Sequence, residues 1–327
     1  LKGAAMRAMV RGIGGGGRPA QAGAARQAMR MALCEPVHAR ETAITAADGR
    51  VLAACLYAPA RPQAVMVINP ATGYTQGFYR PFAEAAAARG WAALTFDYRG
   101  QGASLDGPPR TDPARMLDWA RYDAPAAAAH ASALYPGLKV DVVGHSVGGQ
   151  FAGLIEPHVP VRALALLSSS GPYWGHHAPS MRAQAWAFWR LYGPAALAMT
   201  GHVPRGALWR GAPLPPGVWR DWRRFGVNRE GLRDVFAEHG LDARWRAFSA
   251  PVRAWVPDDD PIATPGGVRW LLERYERAPS DMKIVRRDDL RRGPIGHDGL
   301  FRERMSDVFW PQVFGWLSHD PLKVAAE

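Results

Sequence analysis

Val140-Asp141-Val142-Val143-Gly144-His145-Ser146-Val147-Gly148 is the stretch that decides how this chain folds. A short valine-rich run suits a buried strand, and a G-x-S-x-G follows it directly, opening a stretch (147–156) with helical character. The spacing has a mechanical reason. A serine on a tight strand-to-helix turn sits in strained backbone, and the residues two positions away on each side must be small for the chain to pass. Such a turn lifts Ser146 Oγ above the sheet edge. It also sets the Val147 N–H and the positive end of the following helix beside a developing oxyanion. Ser146 is the candidate nucleophile.

On both sides of this turn, strands alternate with helices. Residues 37–45 and 51–58 are strand-like and flank Asp48-Gly49, a hairpin turn. A continuous apolar run at 64–68 suits a buried central strand, 91–96 is a further run, 139–143 and 161–167 read as buried strands, and 252–256 and 282–287 follow later. Helical stretches are expected at 79–89, at 114–134 (interrupted by Pro125), at 266–277 and at 299–317. This rhythm predicts an α/β fold: a mostly parallel sheet with an antiparallel N-terminal edge and helices on both faces. Residues 172–247 break the rhythm and hold seven of the 13 tryptophans. We expect them to form an inserted helical cap over the strand ends. Most of its tryptophans should pack cap against body, and a minority should line an apolar pocket. The core then comprises 36–171 and 248–327, with 1–35 a disordered extension.

A serine hydroxyl needs a base, and the base needs an orienting acid. Pro257-Asp258-Asp259-Asp260-Pro261 puts three carboxylates after the strand ending at Val256, where the acid should stand; spacing alone leaves the choice open. Gly296-His297-Asp298-Gly299 follows the last strand and supplies the base, His297. His145, inside the turn, is expected to pack or hydrogen-bond, and His176-His177 to lie at the surface. No histidine pair has zinc-ligand spacing with a carboxylate or thiol partner, so neither metal nor organic cofactor is expected.

The net charge of +11 hints at nucleic acid, but residues 1–34 hold six basic residues and no acid, leaving 34 basic against 29 acidic in the remainder. Only four of the 40 basic residues are lysine. With no basic helix or aromatic-interleaved basic strand, nucleic-acid binding is not expected. Gly12-Ile13-Gly14-Gly15-Gly16-Gly17 formally fits G-x-G-x-x-G but has no preceding strand. The N-terminal segment lacks the apolar stretch of a secretory signal and the serines of a transit peptide. Cys34 and Cys55 fit reduced thiols in the cytoplasm. No apolar run approaches the ~18 residues that span a bilayer.

From Val65 to about Trp316 the chain resembles bacterial α/β-hydrolases of the serine aminopeptidase/lysophospholipase-like group. Asn69-Pro70-Ala71-Thr72-Gly73 stands where that family places its oxyanion loop, and Asp97-Tyr98-Arg99-Gly100-Gln101-Gly102-Ala103-Ser104 fits its D-x-R-G-x-G-x-S turn. The Ser146 turn, Asp260-Pro261 and Gly296-His297 follow in order. The resemblance implies a Ser146–His297–Asp260 triad, with Asp259 as runner-up because the family acid often stands directly before proline. Many relatives carry His-Gly where this chain has Asn69-Pro70. Pro70 has no N–H, so the second oxyanion donor beside Val147 is Ala71 or Thr72. The Asp97–Ser104 turn is expected to be structural. The implied activity is cleavage of a small-molecule carboxylic ester with an apolar acyl or alcohol portion, through an acyl-enzyme. The alternatives are an acyltransferase or thioesterase on the same triad, or a ligand-binding homologue that turns over poorly.

Overall fold

The computed structural model describes residues 37–319; the calls on 1–35, Cys34 and the glycine run at 12–17 lie outside them. Eight strands form one open sheet: β1 (His38–Thr45), β2 (Val51–Ala58), β3 (Ala64–Asn69), β4 (Trp91–Phe96), β5 (Val140–His145), β6 (Val161–Leu167), β7 (Val252–Pro257) and β8 (Ser280–Val285). Their order is β1-β2-β4-β3-β5-β6-β7-β8. β1 and β2 pair antiparallel around the Asp48-Gly49 turn, β2 pairs antiparallel with β4, and every other pairing is parallel. β3, β4 and β5 are buried along their whole length, as their mostly apolar sequences suit, with Asp141 of β5 buried in an ion pair with Arg162.

Two apolar layers sandwich the sheet. On one face, α1 (Arg80–Ala87) and α10 (Trp310–Ser318) pack Phe82, Trp91, Trp310 and Phe314 against Met66 and Ala93. On the other lie α2 (Ala124–Leu134), α3 (Val147–Phe151) and α9 (Pro265–Leu272). Pro125 does not interrupt its helix. The five residues ahead of it, Trp119–Asp123, widen into a π turn, which removes the clash a proline ring makes with the preceding turn. The same device recurs at Pro194.

The segment between β6 and β7 adds α4 (Pro179–Ala187), a π turn (Phe188–Tyr192), α5 (Gly193–Thr200), α6 (Pro216–Val227), α7 (Gly231–Glu238) and α8 (Asp242–Ala247). Boundaries differ from expectation where turns intervene. α3 ends at Phe151 rather than 156. The last strand starts two residues early. The expected 299–317 helix is two 3₁₀ turns followed by α10, which starts at Trp310 with Pro311 in its first turn. No described helix is long and apolar enough to cross a membrane.

The Asp97–Ser104 turn knits the sheet edge together. Buried Asp97 accepts from the Gln76 and Ala103 N–H groups (2.7 and 2.9 Å), and Ser104 Oγ bridges Asp97 O and Ala53 N. A Cβ on Gly102, at φ +49°, would lie 2.3 Å from the Asp97 carboxylate, so only glycine closes this loop.

Candidate active site

Ser146 sits between β5 and α3 with φ 53° and ψ −116°, a strained conformation for a residue with a Cβ. The flanking glycines are required by contact. A Cβ on Gly144 would lie 2.4 Å from Gly149 Cα, and one on Gly148 2.2 Å from Asn69 O. Asn69 Nδ2 donates to Gly148 O at 3.3 Å, tying the end of β3 to the first turn of α3.

The structure brings Ser146, His297 and Asp260 together from three separate loops. His297 Nε2 lies 2.9 Å from Ser146 Oγ, and His297 Nδ1 lies 2.9 and 3.1 Å from the two oxygens of Asp260. Asp260 is buried and also accepts from the N–H groups of Ile262 and Ala263, both at 2.9 Å. Burial raises the Asp260 pKa, but His297 and these donors outweigh it and hold the carboxyl below its ordinary value. For His297, burial works downward and the Asp260 carboxylate more than compensates, leaving the imidazole pKa above its usual 6.5.

The other two carboxylates of the cluster point elsewhere. Asp259 accepts from the N–H groups of Ile295 (2.9 Å) and Gly296 (2.8 Å), and so fastens the loop that carries His297. Asp258, exposed, accepts only from Arg287 N–H at 3.1 Å.

Of the two candidate oxyanion-loop donors, Ala71 N–H is donated to Tyr79 Oη at 2.8 Å, whereas Thr72 N–H has no acceptor among the described residues. The Thr72 proton is thus the one left free for a bound oxyanion. Tyr79, which sequence reasoning missed, heads a relay. Its hydroxyl proton goes to His145 Nδ1 (2.8 Å), which leaves His145 Nε2–H to donate to the backbone carbonyl of His297 (3.0 Å). This fits a neutral imidazole, and burial together with the nearby His297 pushes the His145 pKa down to about 3. The oxyanion loop and the His297 loop are thus held in register through two buried side chains.

Two cavities meet over Ser146. The inner one, about 120 Å³, is lined by Val147, Phe188, Trp189, Trp209, Trp222 and Met181 among others. The outer one, about 630 Å³, shares Ser146, Met181, Trp209 and Trp222 with it and adds Thr72, Tyr74, His297, Asp298 and three arginines. Three of the seven tryptophans of the inserted segment line the inner cavity. Trp219 and Trp245 are buried in the core, and Trp186 is 46% exposed. The surface position expected for His177 is corrected: it is half-buried against the inner cavity, where burial first and His297 second lower its pKa to about 4.

A family model described as serine aminopeptidase, S33, matches residues 60–210, which carry the oxyanion loop, the Asp97 turn and the Ser146 turn. An esterase from Pyrococcus furiosus superposes with a TM-score of 0.58 at 14% identity, over 86% of this chain and 90% of that one. The fold is that of the α/β-hydrolases. A lipase in its open form superposes on this chain with a TM-score of 0.59 at 17% identity, over 89% of this chain and all of the other. The esterase domain of a Rhodothermus marinus protein gives 0.52 at 19%, over 85% and 96%. At these identities the likeness speaks for the fold alone. No curated protein matches the sequence.

Proposed function

We propose that this chain is a serine hydrolase that cleaves short- to medium-chain carboxylic esters through an acyl-enzyme. The observation that carries the reading is the chain of contacts Asp260–His297–Ser146, with 2.9 Å at each step. Ser146 Oγ attacks the ester carbonyl as His297 Nε2 takes its proton, and Asp260 holds the ring with Nε2 facing the serine. The tetrahedral oxyanion accepts from Val147 N–H and Thr72 N–H, each such donor being worth about 3 kcal/mol in the transition state. Collapse breaks the bond to the alcohol oxygen, which takes the proton from His297. Water, activated by the same imidazole, then releases the acid and regenerates Ser146.

Residues 172–247 act as the cap in this reading, and the inner cavity as the acyl site. Its aromatic walls, Phe188, Trp189, Trp209 and Trp222, suit an apolar acyl chain. The reading places the enzyme in the cytoplasm, acting on a small molecule without metal or cofactor. A p-nitrophenyl ester series tests it: turnover is expected, with kcat/KM highest for a short to medium acyl chain. No turnover at any chain length would overturn the proposal.

A further inference from the structure

The two cavities over Ser146 differ in more than size. Only the outer one is lined by His297, and the imidazole that protonates the departing oxygen must stand within hydrogen-bond reach of it. The alcohol portion therefore occupies the outer cavity. Its wall carries Arg205, Arg210 and Arg302 against a single carboxylate, Asp298. Arg302 is ion-paired with Asp298, which also accepts from Tyr74 Oη at 3.0 Å, so these two charges cancel. Arg205 and Arg210 have no carboxylate within 4.0 Å among the described residues.

Both arginines stand on one anchored loop. Val203 and Leu214 exchange two backbone hydrogen bonds (3.0 and 2.9 Å) at its base, and Gly206 N–H donates to Trp209 O at 2.7 Å across its tip. Ala212 N–H donates to Gly73 O at 2.9 Å, and Trp209 Nε1 to Ala212 O at 2.7 Å. The Trp209 ring lies so close over Gly73 that a Cβ there would be 2.4 Å from it. The loop is thereby fastened to the residue next to Thr72, and its two arginines without a carboxylate partner, both exposed, line the chamber.

We propose that Arg205 and Arg210 select esters whose alcohol portion carries an oxyanion, a carboxylate or a phosphate-type group. The inference rests on the hydrolase reading above and names the substrate class of that site. Guanidinium forks match both groups in geometry and charge.

The test uses three butyrates of like size, made from 4-hydroxybenzamide, 4-hydroxybenzoate and 4-hydroxyphenylphosphonate. The readout is the kcat/KM of each anionic ester divided by that of the neutral amide. In Arg205→Gln/Arg210→Gln this ratio should fall about three- to tenfold from wild type, mainly through KM, as expected for two exposed charge contacts. The fall should shrink in 0.5 M salt. A larger fall for the phosphonate than for the carboxylate would assign a phosphate-type group, and the reverse a carboxylate. Arg61→Gln/Arg277→Gln removes the same charge at exposed positions outside both cavities and should leave the ratio as in wild type. An unchanged ratio in the loop variant, or an equal fall in the control pair, overturns the inference while leaving ester hydrolysis standing. If wild type turns over none of the three esters nor any p-nitrophenyl ester, the hydrolase reading fails and this inference falls with it.

Discussion

Replacing each of the three consecutive aspartates after β7 by alanine should give a graded series, because each carboxylate holds a different part of the site. Asp260 is buried and meets His297 Nδ1 with both oxygens, so its loss leaves the imidazole without orientation or counter-charge. A fall of about 10³- to 10⁴-fold in kcat is expected, the order found when a triad acid is removed. Asp259 touches neither Ser146 nor the imidazole, but its two backbone hydrogen bonds fix Ile295 and Gly296, the residues just before His297. Charge-assisted bonds of this kind contribute about 1.5–3 kcal/mol each when buried. Asp259 is half-exposed, so about 2 kcal/mol for the pair is reasonable after solvent screening. Released, the His297 loop drifts by a fraction of an ångström or more, and displacements of that order cost up to about 10²-fold. Asp259→Ala should therefore lose about 10- to 100-fold, with Asp259→Asn recovering part of it by keeping one acceptor oxygen. Asp258→Ala gives up a single exposed contact and should stay within about threefold of wild type. The assay is kcat on p-nitrophenyl butyrate at pH 8, with circular dichroism to check folding. An Asp259→Ala loss equal to or larger than that of Asp260→Ala would refute the assignment, as would an Asp260→Ala loss below tenfold.

Three further outcomes are expected. The rate requires neutral His297, whose pKa is raised above 6.5 because Asp260 outweighs burial, so kcat/KM should fall as pH drops through that raised value and level off on the alkaline side. Asp260→Asn should move the limb to lower pH in a pH–rate profile; an unmoved limb would assign it to another group. Tyr79→Phe removes the acceptor of Ala71 N–H and the donor to His145 together, and should lower kcat about tenfold with little change in KM; full activity would show that the relay does not hold the two loops. Gly148→Ala forces a methyl group to within 2.2 Å of Asn69 O, and should cost about 1–3 kcal/mol in urea unfolding; unchanged stability would contradict the tight turn.

The sheet was legible in the sequence because its central strands are largely buried on both faces and so are mostly apolar with few polar interruptions; 91–96 and 161–167 match β4 and β6 to the residue. β8 was misplaced by two residues because its burial is partial, and its sequence Ser-Asp-Met-Lys-Ile-Val carries no clean apolar run. The nearness of Ser146, Asp260 and His297 followed from chain order and from their places at strand ends. What each aspartate touches did not, since three adjacent carboxylates on one turn differ only in direction. Tyr79 was missed for a related reason: a tyrosine ahead of an alanine-rich helix carries no sign that its hydroxyl ends up under Ala71, 66 residues before the His145 it binds. A buried histidine inside G-x-S-x-G was the available clue, because a buried imidazole needs two hydrogen-bond partners. The attachment of the loop from Val203 to Leu214 to Gly73 is a long-range contact that no local pattern encodes.

The most direct test of the central claim is labelling by a fluorophosphonate, wild type against Ser146→Ala, with mass spectrometry locating the adduct. The account predicts a single adduct on Ser146 that is absent in the variant and forms far more slowly in Asp260→Ala. Folded wild-type protein that takes no label, or takes it on another residue, would contradict it.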